Sequence, residues 1–360
     1  MQVDYIIVGQ GICGTFLSWN LIKEGRTVLV IDSANPYTAS KVASGVINPV
    51  TGRRIVRTWM IEELLSFAWN AYSQLGNELN APLIRQCNVL DFHSTPQMKD
   101  AFVQRLAEEN EYLNVPENAG EWQQYFRYNY GIGEVTGCLL ADLETMLQEW
   151  RKKLQQQNSL LEESLDFNEL IIHHSPFTVH KDAFPVHYKN IVAQKIIFCD
   201  GVAGFDNKYF KMLPYVRTKG EAIIASVPGL PRTNIFKQGI TIVPWKDDFF
   251  WIGSNYIWEY SDAGPTALFR KKVEEQLNYW LKIPYTIVDH IASERPANIE
   301  RRPFVGLHPL HNAVGVLNGM GTKGCSLAPY FAHQLAQHLV HDKPIDRLAD
   351  VKRFTRVLSM

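Results

Sequence analysis

The stretch Gly9-Gln10-Gly11-Ile12-Cys13-Gly14 constrains this chain more than any other. Before it, Asp4 to Val8 is short and continuously apolar, the pattern of a strand buried on both faces. After it, Phe16, Leu17, Asn20, Leu21 and Glu24 follow helical spacing, and Gly25 supplies a stop. Thr27 to Asp32 reads as a second buried strand. Strand, helix, strand is a βαβ unit, whose crossover makes the strands parallel. In such a unit the first glycine allows the tight turn, the second lets a pyrophosphate approach the backbone, and the third lets helix and strand pack closely. The phosphates then meet the free N–H groups and dipole of the helix start. Asp32, eighteen positions after Gly14, is placed to accept hydrogen bonds from an adenosine ribose. An acid there argues against NADP and leaves NAD and FAD open. The bland alternative, a tight glycine turn without a ligand, does not call for the strand, helix and acid that accompany the motif.

The rest of the chain continues the α/β pattern. Ser33 to Arg57 is polar and punctuated by Gly and Pro, and is expected to be irregular. Ile61, Leu64, Leu65, Ala68, Tyr72 and Leu75 mark an amphipathic helix. Residues 80–135 are mixed. Asp142 reads as an N-cap ahead of Leu143, Met146, Leu147, Trp150 and Leu154. Short strands are expected over 169–190 with a turn at Lys181-Asp182, and a buried strand over Lys195–Asp200. Ile240–Pro244 and Phe249–Gly253 form a predicted hairpin. Leu268–Leu281 is a predicted helix with Pro265 in its first turn. Ala313–Leu317 is a predicted strand, and after Gly319 to Gly324 a last helix carries Leu327, Phe331, Leu335 and Leu339. Ala328, Ala332 and Ala336 run beside them, suited to close packing.

At 360 residues two domains are expected. The net charge of -1 lacks the basic excess of a nucleic-acid surface. No apolar run reaches a bilayer-spanning length, and Met1 to Val3 do not read as a secretory leader. The five cysteines form no CxxC pair, which suits free thiols in the cytoplasm. His173-His174, adjacent on an expected strand, point to opposite faces, so no metal site is expected there.

The wider pattern resembles the D-amino-acid oxidase, glycine oxidase and sarcosine oxidase family of FAD enzymes. Beyond the fingerprint, the resemblance rests on Glu294-Arg295-Pro296, on Arg302-Pro303-Phe304-Val305-Gly306, and on Gly319-Met320-Gly321-Thr322-Lys323-Gly324-Cys325-Ser326-Leu327-Ala328-Pro329. Weaker echoes are Ser40 to Pro49, Gly137 to Asp142, Asp200-Gly201, Thr218-Lys219-Gly220-Glu221 and Gly253-Ser254-Asn255. It implies an α/β fold: a Rossmann-type FAD-binding domain with a second α+β substrate domain on a mixed or antiparallel sheet. The expected FAD-binding segments are 1–58, 136–215 and 290–360, and the substrate segments 59–135 and 216–289. Expected cofactor contacts are Gly9, Gly11, Ile12, Cys13, Gly14, Asp32, Ser33, Ser40, Ser44, Gly45 and Gly201, then Gly319, Met320, Gly321, Thr322, Lys323, Gly324, Cys325 and Ser326. The family's usual histidine is Met320 here. The region near Ser293 has no cysteine for a covalent link, so non-covalent FAD is implied.

The family reaction is hydride transfer from an amine Cα–H to flavin N5, giving an imine that water hydrolyses. Electrons then pass to O2 or a quinone. Arg295 is the expected clamp for a substrate carboxylate, against the bland reading of a pair with Glu294 or Glu300. Gly321 to Ser326 opens the last helix and offers N–H groups to a developing negative charge. Lys323 adds a positive charge there, against the bland reading of a solvated lysine. Arg53 or Arg54 reaching the ligand, and Trp245, Trp251, Tyr256 and Trp258 walling a pocket, are further options, each weighed against simple solvation or packing. Arg301 and Arg302 read as structural or solvent-facing. Competing readings are an NAD-dependent dehydrogenase, an oxidase-type module acting on a modified tRNA base, and a flavin-binding protein with a decayed active site.

Overall fold

A computed structural model describes residues 1–52, 54–108, 111–173 and 184–360. Strand β1 (Gln2–Val8), helix α1 (Ile12–Lys23) and strand β2 (Val28–Ile31) form the expected unit, with Gly25 at φ +72° beyond the helix. β1 pairs in parallel with β2 (Ile7↔Val30) and with Ile191–Phe198 (Ile7↔Ile197). The latter pairs in parallel with Val314–Asn318 (Ile197↔Gly315). Four parallel strands therefore end at one sheet edge, delivering Gly9, Asp32, Asp200 and Gly319 side by side. Ligands of open parallel sheets bind at that carboxyl edge.

Side chains alternate across this sheet. Tyr5 and Ile7 join a core with Phe16, Leu64, Trp150, Phe331 and Leu335, drawn from four helices. Ile6 and Val8 join a second core with Phe210, Leu213 and Val351. The helices are α1, Ile61–Leu79, Leu143–Gln156 and Gly324–His341. Asp142 caps the third, its Oδ1 accepting from Thr145 N at 3.0 Å. Ala328, Ala332 and Ala336 are fully buried, as the small-residue stripe requires.

A second sheet of eight strands, counted among the described residues, is mixed. Its members include Val89–Phe92, Ile132–Val135, Tyr215–Ser226, Ile235–Gln238, Ile240–Pro244, Phe249–Gly253 and Thr286–Asn298. Leu90, Phe236, Ile242, Phe250 and Ile252 face one way, onto helix Ala267–Trp280 and Phe126. The intervening residues face the other way, towards the first sheet's carboxyl edge.

Two expectations change. The Ser33–Arg57 segment is not structureless: it holds helix Ala39–Val42 and short strands Val46–Ile47, Val50–Thr51 and Val56–Arg57. Pro265 lies outside the first turn it was assigned to, because Thr266 is the cap, its hydroxyl accepting from Phe269 N at 3.3 Å. The mixed stretch 80–135 contains helix Pro96–Glu108 and strands of the second sheet. The Lys181-Asp182 turn, His174 and Arg53 lie outside the described residues.

Candidate active site

A cavity of about 1330 Å³ opens between the two sheets. Usual small-ligand pockets measure about 300–1,000 Å³, so this one has room for a dinucleotide and a second molecule. Gly9, Gly11, Ile12, Cys13, Asp32, Ser33, Ser40, Ser44 and Gly201 line it. So do Met320, Gly321, Thr322, Lys323, Gly324, Cys325 and Arg295. Gly14, Gly45, Gly319 and Ser326 stand behind that wall. An added Cβ at Gly14 would sit 1.9 Å from Gly9 O, and one at Gly45 2.0 Å from Ala141 O, so both glycines serve backbone packing.

The two glycine turns touch. A Cβ on Gly324 would lie 3.7 Å from Ile12 Cγ2, although the residues are far apart in sequence. Gly11, Gly201, Gly321 and Gly324 line the cavity; an added Cβ would meet nothing within 4 Å at Gly201 and nothing nearer than 3.7 Å at Gly321 and Gly324, but would stand 3.0 Å from Ser40 Oγ at Gly11. Bare backbone at two helix starts, α1 and Gly324–His341, is a fitting cradle for a dinucleotide. Ser40 Oγ accepts from Ile12 N at 3.0 Å at the first of them.

Asp32 is held firmly. Its carboxylate accepts from Gln10 N, Ala34 N and Arg151 Nη1, each at 2.8 Å. Arg151 comes from helix Leu143–Gln156 and gave no sequence signal of its own. On the far side of β1, Asp200 is half-buried, and burial pushes its carboxyl up to about 6 despite hydrogen bonds from Asn207 and Asn318.

Arg295 sits on strand Thr286–Asn298 opposite Thr218. Its Nη2 donates to Ser254 Oγ at 2.9 Å, and both Nη atoms reach Asn255 O at 3.2 Å. Tyr256 lies under the guanidinium, 4.6 Å from ring centroid to Cζ. Neither glutamate named in the bland reading holds it. Glu294 accepts from Tyr260, and Glu300 pairs with Arg353 at 3.1 Å. Lys323 is not a solvated lysine either. It donates to Thr58 Oγ1 at 3.3 Å, and burial lowers its ammonium to about 8. Met320 is buried in the same wall.

Of the four hairpin aromatics, Trp251 and Tyr256 line the cavity, and Trp251 donates to Val42 O at 3.0 Å. Trp258 is largely exposed and Trp245 lies off the wall. Arg54 is exposed, and Arg302 stacks over Trp59 at 4.1 Å. Sequence reasoning missed Asp91, Lys237 and Thr241, which the second sheet carries into the wall. No helix is long and apolar enough to cross a membrane among the described residues.

Several known proteins are similar. The iminodiacetate oxidase of Chelativorans sp. BNC1 superposes with a TM-score of 0.75 at 16% identity, over 96% of this chain and 98% of that one. The glycine oxidase of Geobacillus kaustophilus gives 0.72 at 14% identity, over 96% of each chain. An uncharacterized oxidoreductase, YurR, of Bacillus subtilis (strain 168) is 39% identical over 56 residues, which span 16% of this chain and only 15% of that relative. The structural likenesses establish the fold, a Rossmann-type domain joined to a mixed sheet. The family described as FAD dependent oxidoreductase matches residues 4–338, so that the two glycine turns and the strands between them place this chain in the DAO family of FAD-dependent oxidoreductases.

Proposed function

We propose that this chain oxidises a small amine or amino acid in the cavity between its two sheets, using FAD held without a covalent link. One observation carries the reading. The fingerprint turn, the turn Met320 to Cys325 and two cations, Arg295 and Lys323, line a single cavity. Bound FAD would supply the hydride acceptor, N5.

The residues divide the remaining work. Free N–H groups at the start of α1 would hold the diphosphate, the N–H of Ile12 being already taken by Ser40 Oγ. Asp32, oriented by Gln10 N and Arg151, is set to accept from the ribose hydroxyls. Gly324 and Cys325 lie in the first turn of their helix, so their N–H groups have no intrahelical partner. With Lys323 they make that wall electropositive. Among the described residues Arg295 meets only neutral acceptors, which hold the guanidinium without neutralising it. An incoming carboxylate replaces Ser254 and Asn255 at its Nη atoms, and this fixes the Cα–H direction. No general base is required when the amine arrives neutral. The region near Ser293 offers no cysteine for a covalent link, and Ser293 itself donates to Tyr37 O at 2.8 Å. We assign segments 1–58, 136–215 and 290–360 to cofactor binding and the remainder to the substrate side.

The absorption spectrum of the purified protein comes first, with flavin bands expected roughly near 370 and 450 nm. Anaerobic bleaching by amino acids and secondary amines then tests the reaction, and reoxidation by O2 or a quinone identifies the acceptor. A yellow protein that no amine bleaches would be a flavin carrier with a decayed site. A colourless protein that cannot be loaded with FAD removes the proposal altogether.

A further inference from the structure

The cavity floor opposite the glycine turns is one face of the second sheet, and its polar residues stand in register. Gly253 pairs with Thr241, Thr241 with Lys237, and Lys237 with Asp91. All four line the cavity. Directly paired residues on neighbouring strands share a face, so they form one row across four strands. Lys237 Nζ lies 2.7 Å from Asp91 Oδ2. The Asp91 side chain is only 9% exposed and that of Lys237 37%, so the carboxylate is drawn back while the lysine side chain stays open to the cavity.

Tying two strands together does not call for this pair. An apolar pair of similar volume would hold them as well or better, because ion pairs are costly to desolvate. What the pair adds is an anchored ammonium. Asp91 takes one donor, and the others meet no acceptor among the described residues. The row also runs from the proposed clamp. Ser254, which touches Arg295, follows Gly253, and Lys237 stands two strands away, roughly 10 Å at the usual strand spacing.

We infer that the substrate is an amino acid whose side chain ends in an oxygen acceptor, a carboxylate or carboxamide, and that Lys237, anchored by Asp91, selects it. This rests on reading the cavity as an amine-oxidising site. Lys237 acts as a specificity determinant, meeting the distal group while the amino-acid end lies by Arg295.

The test is calorimetry on the FAD-loaded protein with 2-methylglutamate and 2-methylleucine, which lack the Cα–H and so bind without turnover. The expected result is about ten- to a hundredfold tighter binding of 2-methylglutamate, the range for a hydrogen bond to a charged group. Lys237→Met alone strands a buried carboxylate, so the variant is Asp91→Asn/Lys237→Met. It should keep its FAD absorbance and lose the preference. Anaerobic bleaching by glutamate, glutamine, leucine and lysine should rank the same way. Equal or better binding of the leucine analogue, or a preference unchanged in the double variant, overturns selection by Lys237 and leaves the amine reading standing. If no analogue binds and no amine bleaches the flavin, the amine reading falls and this inference with it.

Discussion

Replacing Gly220 with alanine displaces the Arg295 guanidinium while leaving Arg295 itself unmutated. Gly220 pairs with Ser293 in the long ladder between Tyr215–Ser226 and Thr286–Asn298. A Cβ there would stand 1.8 Å from Arg295 Nη2, 2.2 Å from Cζ and 2.6 Å from Nη1. These are the nearest atoms, and they end a flexible side chain, so the guanidinium yields before the sheet does. It must retreat by roughly 1.5–2 Å to reach van der Waals separation. The backbone itself accepts alanine, since Gly220 is outside the positive-φ region, and removing a glycine at a compatible site stabilises by about 0.4–1 kcal/mol. That gain opposes the loss of guanidinium hydrogen bonds, so Tm should move by only a few degrees. Function should suffer far more. A misplacement of about 1 Å at a positioning group costs on the order of a hundredfold. The assay is kcat/KM for amino acids beside an amine that lacks a carboxylate. Amino acids should lose on the order of a hundredfold and the plain amine only a fewfold, with FAD content unchanged. A variant within twofold of the parent on amino acids, or one that loses both substrates equally, refutes the placement of Arg295 as the carboxylate clamp.

Lys323 should give carboxylate binding a pH limit. Burial lowers its ammonium to about 8, so it is charged below that pH and neutral above it. The Kd of a simple carboxylate without an amino group should therefore rise above about pH 8, and the rise should vanish in Lys323→Met. Gly14→Ala forces a Cβ to 1.9 Å from a backbone carbonyl that cannot swing away. Overpacking of this kind costs about 1–3 kcal/mol, so Tm should fall by several degrees and FAD retention on dialysis should weaken. Asp142→Ala removes a helix cap worth about 0.5–2 kcal/mol. Chemical denaturation should register that loss while the flavin spectrum stays as in the parent.

Local pattern made half of this molecule readable. The βαβ unit announces itself because its glycines, apolar strands and terminal acid fall within one short window. Asp142 and the Leu327–Leu339 repeat are equally local signals. The second sheet is different. Tyr215–Ser226 carries Lys219 and Glu221, charged residue types that are almost never fully buried unless paired, yet they are 1% and 0% exposed. Glu221 is satisfied by Thr266 and Asn255, and Lys219 by Asp262 O at 2.9 Å. Thr286–Asn298 has no apolar alternation and becomes a strand through its partner. Arg151 and Lys237 escaped notice for the same reason: each meets its carboxylate across more than a hundred residues of chain.

The charges in the cavity wall follow a rule that ties these parts together. Three of its acids are already matched: Asp32 by Arg151, Asp91 by Lys237, and Glu221 by the neutral donors around it together with Lys219 at 3.9 Å. Asp200 is raised to about 6 by burial and gives up its charge more readily than an ordinary aspartate. Arg295 and Lys323 instead meet hydroxyls and carbonyls, with no carboxylate in ion-pair reach among the described residues. Burying an uncompensated cation is costly, and for Lys323 the cost appears as its lowered ammonium. An anion entering this wall recovers that cost, so binding energy for negatively charged ligands is stored in the folded protein beforehand. The prediction is directional: chloride or a simple carboxylate should stabilise the FAD-loaded protein against heat below about pH 8, the effect should shrink above it, and the double variant Arg295→Ala/Lys323→Met should abolish it. Equal stabilisation of that variant would mean that the cations are not the anion's partners.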